Sequence, residues 1–317
     1  MASDDAVVYP PIHVIVTCSN RKTSAISDDL RLGHLRQQRP DQRFNTWTER
    51  LSATTVSRVL ARKLYAGEHW NVARQLPTHL PGPGSLWICS AGYGFIAADS
   101  AIAPYTATFA AGEPDSVGST PAEMRAWWNR LTAWRDPEPA QPRSFTDLAR
   151  REPGAVIIAV LSEAYMRACA DDLRRAVDCL NDQDQLMVIG PPGRCAEIED
   201  LIVPVTASLR PVVGGSLQAL NVRAAARLLA AATNDLSRAT LRKLAEQETS
   251  NAPPDRSRRL GGRRLTDDDV RSYIRSRLTT GPGSATRLLR QLRQSGQSCE
   301  QARFGVLFAE VAAEVRS

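Results

Sequence analysis

A lone carboxylate, Asp99, follows a glycine-rich turn near the middle of the first 200 residues. The apolar run 86–89 predicts a buried strand, and it breaks into Ser-Ala-Gly-Tyr-Gly at 90–94, where two glycines permit a sharp turn and the close approach of a ligand. Asp99 is the only Asp, Glu, Lys or Arg between residues 76 and 112. A carboxylate just past a core strand suits acid/base chemistry. The alternative is that Asp99 caps a turn or helix.

A second polar cluster follows the β-branched run 13–17, which predicts the first core strand. The sequence Cys-Ser-Asn-Arg-Lys-Thr comes directly after it. Ligands of open parallel sheets bind outside the carboxyl ends of the strands. Ser19 and Asn20 are therefore candidates for contacting a polar base, and Arg21 and Lys22 for contacting phosphates. An ordinary solvated loop is the alternative.

The third candidate is the turn Gly214-Gly215-Ser216, which lies between a predicted edge strand at 209–213 and a predicted helix at 219–232. Free backbone N–H groups and the positive end of a helix dipole make such a turn a possible anion site. Ser216 is alternatively a plain N-cap.

Strands alternate with helices through residue 232, which predicts an α/β fold with a mostly parallel central sheet and helices on both faces. The three candidate clusters are then expected at the same edge of this sheet. The predicted strands are 13–17, 86–89, 155–161, 186–189 and 209–213, and the main predicted helices are 51–66, 121–135, 144–151, 163–180 and 219–232.

We predict an α/β domain over residues 1–235, a helix end and basic linker over 236–263, and a small helical domain over 264–317. Arg287, Arg290 and Arg293 recur every three residues on a predicted helix and form one exposed basic stripe. Three short helices with a basic second helix are compatible with a helix-turn-helix-like DNA module. The alternative is an oligomerisation or lid bundle.

The charge distribution favours a polyanionic partner. Residues 1–234 carry equal numbers of basic and acidic side chains, whereas residues 235–317 carry 16 Lys and Arg against 10 Asp and Glu, so the whole excess of +6 lies there. A basic segment of this kind most often binds nucleic acid. A general arginine bias on a solvated surface is the alternative.

Composition also sets expectations about compartment and cofactors. No apolar run of about 18 residues predicts a membrane span, and the acidic N-terminus is unlike a secretory signal, so a cytoplasmic protein is expected. The six cysteines lack Cys-x-x-Cys spacing and the four histidines show no ligand pattern. We therefore expect no disulfide frame, no metal and no cofactor.

Four segments together resemble a bacterial domain family. They read Val-Ile-Val-Thr-Cys-Ser-Asn-Arg-Lys, Ala-Arg-Lys-Leu-Tyr-Ala-Gly, Ser-Ala-Gly-Tyr-Gly-Phe-Ile-Ala-Ala-Asp and Ile-Ala-Pro-Tyr, and they cover residues 12–110. That family is similar to the uracil-DNA-glycosylase-like superfamily, which includes relatives of the peroxide-stress protein YaaA and a domain of archaeosine synthase. The resemblance implies a uracil-DNA-glycosylase-like α/β fold and cleavage of N-glycosidic bonds.

The chain also resembles an anti-phage DNA glycosylase of this superfamily, which removes glucosylated hydroxymethylcytosine from viral DNA. Two features depart from the uracil-glycosylase pattern. The Gly-Gln-Asp-Pro-Tyr motif is absent after the first strand, and Gly214-Gly215-Ser216 stands where a His-Pro-Ser loop is expected. These departures argue against uracil as the substrate.

The resemblance implies a mechanism for the candidate residues. Asp99 would stabilise an oxocarbenium-like sugar and direct water to C1′, with Asn20 orienting that water. Tyr93 would stack on an extruded nucleotide, beside Gly92 and Tyr105, and the Gly214–Ser216 turn would bind a DNA phosphate. A Schiff base formed by Lys22 or Lys63 is the alternative route.

Three functions follow as hypotheses. The first is a DNA glycosylase that excises a modified base from double-stranded DNA and acts in anti-phage defence. Its preferred substrate would be glucosylated hydroxymethylcytosine of phage DNA. The second is a non-catalytic DNA-binding or regulatory protein. The third is an enzyme acting on N-glycosides of nucleosides or 7-deazaguanine precursors.

Overall fold

A six-stranded sheet forms the centre of the α/β unit in the computed structural model, which describes residues 10–135, 141–232, 235–253, 263–279 and 283–314. Its strand order is β4-β3-β1-β6-β7-β8. The strands of the chain are β1 Ile12–Thr17, β2 Val59–Leu60, β3 Gly84–Ser90, β4 Gly94–Ala97, β5 Ala101–Ile102, β6 Val156–Val160, β7 Leu186–Gly190, β8 Ile202–Pro204, β9 Arg263–Arg264 and β10 Gln297–Ser298.

Five of the six strands are parallel, and only β4 runs antiparallel, against β3. Every residue of β1, β6 and β7 is buried, so both faces of the sheet centre are covered. Such continuous β-branched and aliphatic runs are typical of buried parallel strands. The predicted α/β fold with a mostly parallel central sheet is therefore confirmed.

The chain order places a topological switch beside β1. The connection after β1 leads to β3 on one side, whereas β6 pairs with β1 on the other side. The carboxyl ends of β1, β3 and β6 therefore bound the crevice where ligands of open α/β sheets bind.

The helices cover the sheet and build the rest of both units. They are α1 Pro40–Ala53, α2 Ala61–Leu64, α3 Glu68–Ala73, α4 Pro121–Ala133, α5 Phe145–Arg151, α6 Glu163–Val177, α7 Arg210–Val213, α8 Leu220–Ala231, α9 Arg238–Ser250, α10 Asp267–Leu278, α11 Ala285–Gln294 and α12 Gln301–Glu314. Short 3₁₀ helices lie at Asp28–Leu30, Leu32–Leu35, Leu76–His79, Gln183–Gln185, Ala196–Leu201, Ala207–Leu209 and Leu217–Ala219.

The predicted helix over 51–66 is wrong. Helix α1 ends at Ala53, and the Thr54 hydroxyl accepts the backbone N–H of Val56 at 3.2 Å. This side-chain turn competes with helical hydrogen bonding. Residues Val59 and Leu60 then pair with β5 as a short strand.

The predicted edge strand over 209–213 is also wrong, because residues 210–213 form the short helix α7. Pro211 occupies its first turn, where a missing N–H costs nothing. The last sheet strand is instead the short apolar segment β8, for which no strand was predicted.

A second compact unit spans residues 254–317. Its described part contains α10, α11, α12 and the parallel pair β9–β10, around a core of its own that includes Ile274, Leu292, Phe304 and Val311. Thr266 caps α10, since its hydroxyl accepts the N–H of Asp269.

The segment predicted as helix end and linker, 236–263, contains a helix of its own. Helix α9 occupies residues 238–250, whereas residues 254–262 lie outside the described residues. Among the helices that the structure describes, none has the length and apolarity to cross a membrane.

Candidate active site

The loop after β1 is fastened to the segment that follows α2. The Ser19 hydroxyl donates to the carbonyl of Ala66 at 2.7 Å and accepts the N–H of Arg21 at 3.2 Å. Backbone hydrogen bonds join Ala66 to Arg21 and Thr23 to Leu64. Ser19 is therefore a residue that shapes the loop, and Arg21 and Asn20 are left exposed at the carboxyl edge.

Lys22 turns inward from this loop. Its Nζ donates to the carbonyl of Ser19 at 2.5 Å and lies 3.4 Å from the carbonyl of Asn20. The amine also lies 5.0 Å from the ring centroid of Tyr65 and 4.7 Å from that of Tyr105. The Lys22 amine is thus held by neutral oxygens and aromatic faces, and it forms no salt bridge with the described carboxylates.

This environment changes the acid/base properties of the amine. Desolvation lowers the pKa of Lys22 from its ordinary value, while the Cys18 thiol and the Asp115 carboxylate oppose the shift. The neutral amine is the nucleophilic form of lysine. The surroundings of Lys22 therefore favour an amine that can form a covalent bond at a carbon centre.

A chain of three hydroxyls lies beneath the Lys22 amine. The Tyr105 hydroxyl lies 2.9 Å from that of Tyr65 and 2.5 Å from that of Ser90. Burial raises the pKa of both tyrosines well above the ordinary value, so both stay protonated. Tyr105 is fully buried, and its ring packs against the Lys22 amine. The sequence had instead predicted that Tyr105 lines a base pocket.

A small polar cavity of about 100 Å³ adjoins Lys22. It is lined by Asn20, Lys22, Thr106, Ala107, Thr108, Glu113, Pro114 and Asp115. The Thr106 hydroxyl oxygen is buried and has no hydrogen-bond partner among the described residues. An Asp115 carboxylate oxygen accepts the N–H of Gly33 at 2.8 Å, which fixes that side chain at the wall.

Glu113 and Asp115 were not predicted as site residues, because they lie in a segment without a helix or strand pattern that would position them. Apart from Asp99, they are the first carboxylates after residue 76. This position in the sequence was the only signal that could have identified them as candidates. The structure brings these two side chains, and not Asp99, to the cavity that Asn20 and Lys22 line.

The Ser90–Gly94 turn is interior. A Cβ on Gly92 would lie 2.4 Å from the ring of Tyr105. Glycine at this position therefore permits the close approach of the Tyr105 side chain, whereas the sequence predicted the close approach of a ligand. The Tyr93 ring is fully buried, and its hydroxyl accepts the N–H of Ala103 at 3.1 Å. Neither Gly92 nor Tyr93 is accessible to a nucleotide in this arrangement.

The expectation that Asp99 shares the edge of Asn20 is wrong. Because β4 is antiparallel, it returns the chain to the amino half of β3, where the N–H of Ala98 donates to the carbonyl of Leu86 at 2.9 Å. The Asp99 side chain is 68% exposed and forms an ion pair with Arg62 at 2.9 Å.

Asp99 instead borders an open groove of about 620 Å³ at the amino edge of β3. Arg62, Lys63 and Arg74 line the same groove. One carboxylate among three cations makes this surface net positive. The Asp99 carboxylate of this groove is paired with Arg62.

The Gly214-Gly215-Ser216 turn already holds an anion from the chain itself. The Ser216 N–H donates to the Glu68 carboxylate at 3.2 Å, and Arg223 pairs with the same carboxylate at 2.9 Å. These contacts lower the pKa of Glu68. The turn has the predicted anion-binding chemistry, but Glu68 occupies the place predicted for a DNA phosphate.

His69, next to Glu68 on α3, is a further residue that the sequence did not single out. Its Nε2 lies 3.1 Å from the carbonyl of Thr17 at the carboxyl end of β1. Burial lowers the pKa of His69, while backbone contacts with Thr17 and Gln218 oppose the shift. At neutral pH His69 is therefore mainly uncharged, and it joins β1 to the segment that follows α7.

Arg287, Arg290 and Arg293 are exposed on α11, as the spacing predicted. Arg293 also donates to the carbonyl of Cys299 at 3.1 Å. Among the residues described, no group of three or more His, Cys, Asp and Glu side chains is positioned to hold a metal ion.

Comparison with known proteins adds no relative. No protein-family model, no curated protein and no solved structure matches the chain significantly.

Proposed function

We propose that the chain is a DNA N-glycosylase in which Lys22 is the nucleophile. The observation that carries this proposal is the desolvated Lys22 amine beside a polar cavity at the carboxyl edge of β1. Lysines placed in this way act as amine nucleophiles toward sugar and carbonyl carbons. The resemblance of residues 12–110 to the uracil-DNA-glycosylase-like superfamily supports the same reaction class.

The proposed reaction uses only groups at this cavity. The neutral Lys22 Nζ attacks C1′ of the deoxyribose, and the bond from C1′ to the base breaks with its electron pair leaving on the base, which takes up a proton. The amine passes a proton to Asp115 or Glu113. Ring opening then moves the C1′–O electron pair to oxygen, which is protonated, and leaves a Schiff base between Lys22 and C1′. Water hydrolyses this imine to regenerate the amine and an abasic site.

Double-stranded DNA is the proposed partner because the positive charge is concentrated in residues 235–317. The exposed Arg287, Arg290 and Arg293 are proposed phosphate contacts, together with Arg21 beside the cavity. The proposed substrate is a modified base. The resemblance favours glucosylated hydroxymethylcytosine of phage DNA, and the proposed role is anti-phage defence.

The small cavity favours a second candidate, an enzyme that cleaves N-glycosides of free nucleosides or 7-deazaguanine precursors. A volume of about 100 Å³ is well below the usual range for drug-sized ligands. This candidate predicts turnover of nucleosides without any DNA. The glycosylase predicts turnover only of a base within a duplex.

The test is an assay for alkali-labile strand breaks. Purified full-length protein is incubated with duplexes that are unmodified or that contain uracil, hydroxymethylcytosine or glucosylated hydroxymethylcytosine. Breaks confined to one modified duplex and lost in Lys22→Gln are the expected result. Lys243→Gln is the matched control, since Lys243 is an exposed lysine on α9. Intact DNA binding without breaks on any duplex would instead favour a non-catalytic DNA-binding protein.

A further inference from the structure

A groove on the surface of the second unit lies between α11 and α12. Its volume is about 420 Å³, which falls within the usual range for small-molecule sites. It is lined by Ala285, Thr286, Leu289, Arg290, Arg293, Gln301, Phe304 and Gly305. None of the residues that line the Lys22 cavity belongs to this unit, so a ligand bound here is separate from the proposed chemistry.

One part of the groove is apolar. Leu289 and Phe304 belong to the core of the unit and form the floor, and Ala285 and Gly305 are partly exposed beside them. A Cβ at Gly305 would meet no atom within 4 Å, so this glycine leaves open space along α12. An apolar group placed in that space would remove accessible apolar surface from water, which favours binding.

Arg290 and Arg293 supply the charge of the groove. Both side chains are exposed, so a ligand can reach their guanidinium groups. Arg293 donates to the carbonyl of Cys299 at 3.1 Å, a neutral acceptor that does not balance its charge. The salt bridges described in this unit involve other arginines, and no Asp or Glu is among the residues that line the groove.

The apolar floor and the two cations together define a class of ligand. An inorganic anion would use the arginines but would leave the apolar surface in contact with water. A neutral apolar molecule would cover that surface but would leave both guanidinium groups without an anion. An amphipathic anion uses both parts of the groove.

We propose that this groove binds a small amphipathic carboxylate. Its carboxylate lies against Arg290 and Arg293, whose guanidinium forks match carboxylate geometry, and its hydrocarbon body lies along Ala285, Leu289 and Gly305. Because the same two arginines are proposed phosphate contacts, the carboxylate and DNA compete for them. This competition rests on the proposed function, whereas the binding of the carboxylate does not.

Calorimetry on the full-length protein tests the ligand class, with octanoate as the probe. The matched compounds are 1-octanol, which has the chain without the charge, and acetate, which has the charge without the chain. We expect both to bind at least about fivefold more weakly than octanoate. Arg290→Gln should weaken octanoate binding by about the same factor. Arg275→Gln is the control and should bind as wild type, because Arg275 is paired with Glu314 at 2.6 Å.

A second pair of variants tests the location. Gly305→Leu should fill the groove and abolish octanoate binding, and it should fold normally because leucine is a better helix former than glycine. Ala309→Leu is the control, since Ala309 is exposed on the same helix and does not line the groove. No octanoate binding at millimolar concentration, equal binding of octanoate and octanol, or binding unaffected by Arg290→Gln and Gly305→Leu would each overturn the proposal.

A competition measurement separates this proposal from the proposed function. The affinity for a labelled duplex is measured by fluorescence anisotropy at constant ionic strength, with and without saturating octanoate. We expect octanoate to lower the DNA affinity of the wild type and not that of Gly305→Leu. Octanoate binding without any DNA binding would support the groove and contradict the proposed function. An unchanged DNA affinity with the groove filled would overturn the competition.

Discussion

Lys22 differs from the other two lysines of the chain, Lys63 and Lys243, in being only partly exposed and in having its amine against neutral oxygens and aromatic rings. Its ammonium faces two tyrosine rings and backbone carbonyls, which stabilise a cation less than a carboxylate would. Desolvation therefore dominates and lowers the pKa. At neutral to mildly basic pH a larger fraction of this amine is neutral than in an exposed lysine.

The pH dependence of the proposed step follows from this shift. The rate of covalent adduct formation should rise with pH as the Lys22 amine loses its proton and should level off below 10.5, the ordinary lysine value. Single-turnover trapping across the range from mildly acidic to strongly basic pH measures it. A rate that keeps rising beyond 10.5, or that does not change with pH, would contradict the assignment of Lys22.

His13 gives a second pH prediction, in this case for stability. Its Nδ1 accepts the indole N–H of Trp87 at 3.2 Å, so the neutral ring carries its proton on Nε2, which donates to Glu152 at 3.2 Å. Burial lowers the pKa of His13 below 6.5, although Glu152 opposes the shift. The unfolded chain therefore binds this proton at a higher pH than the folded chain does.

The free energy of unfolding should consequently be highest above pH 6.5 and should fall as the pH drops toward the folded-state pKa of His13. A shift of one unit corresponds to about 1.4 kcal/mol. Urea unfolding at about pH 7.5 and about pH 5 should show a smaller pH-dependent loss for His13→Gln than for wild type. His69 titrates in the same direction, so a residual loss is expected. An unchanged loss would show that His13 is not responsible.

At the scale of elements, Asp172 joins three helices. This carboxylate on α6 is 1% exposed and accepts the indole N–H of Trp128 on α4 and the N–H groups of Phe145 and Thr146 at the start of α5. The Thr146 hydroxyl donates to it at 2.6 Å. Burial raises the pKa of Asp172 in spite of these donors.

Asp172→Asn should destabilise the α/β unit by roughly 2–4 kcal/mol, because the amide turns an N–H toward groups that also donate. Asp171→Asn is the control, since the neighbouring Asp171 is exposed, and surface changes usually fall within about 0.5 kcal/mol. Denaturant titration compares the two. Equal losses of unfolding free energy in the two variants would mean that the buried Asp172 carboxylate stabilises the fold no more than the exposed Asp171 does.

Strands β1, β6 and β7 were predictable because they are buried runs of mainly aliphatic and β-branched residues. Strand β3 was predictable from its apolar run 86–89. Strand β4 was not, since the Gly-Tyr-Gly segment reads equally well as a ligand loop or as a tight reversal. The structure decides for the reversal, with Gly94 at φ +75°. That single difference moves Asp99 from one edge of the sheet to the other.

The candidate site was predictable only in part, for a related reason. Asn20 and Lys22 follow β1 directly, so the sequence places them at the carboxyl edge. Glu113 and Asp115 reach the same cavity through about ninety intervening residues, and no local pattern encodes that contact. The anion-binding turn at Ser216 was recognised, but its partner Glu68 lies 148 positions away.

At the scale of the whole molecule, the excess positive charge lies in residues 235–317 and predicts a salt-dependent affinity for DNA. Replacing Arg287, Arg290 and Arg293 together by Gln should reduce the slope of log K against log salt by about 2–3, at about 0.9 for each phosphate that is no longer neutralised. Fluorescence anisotropy with a labelled duplex at salt concentrations of about 50–300 mM measures this slope.

Arg275→Gln is the control for that experiment, because Arg275 of the same unit is paired with Glu314 at 2.6 Å. It should change the slope by less than about one. If the triple variant has the wild-type slope, the stripe on α11 does not contact DNA phosphates, and another basic surface carries the binding.

The most direct test of the proposed chemistry is to trap the Lys22 adduct. Full-length protein is incubated with a duplex containing glucosylated hydroxymethylcytosine in the presence of sodium borohydride, which reduces the imine to a stable amine, and the modified peptide is identified by mass spectrometry. We expect a sugar adduct on Lys22 that is absent in Lys22→Gln and present in Lys243→Gln. Base release without any lysine adduct, or an adduct on Lys63, would contradict the assignment of Lys22 as the nucleophile.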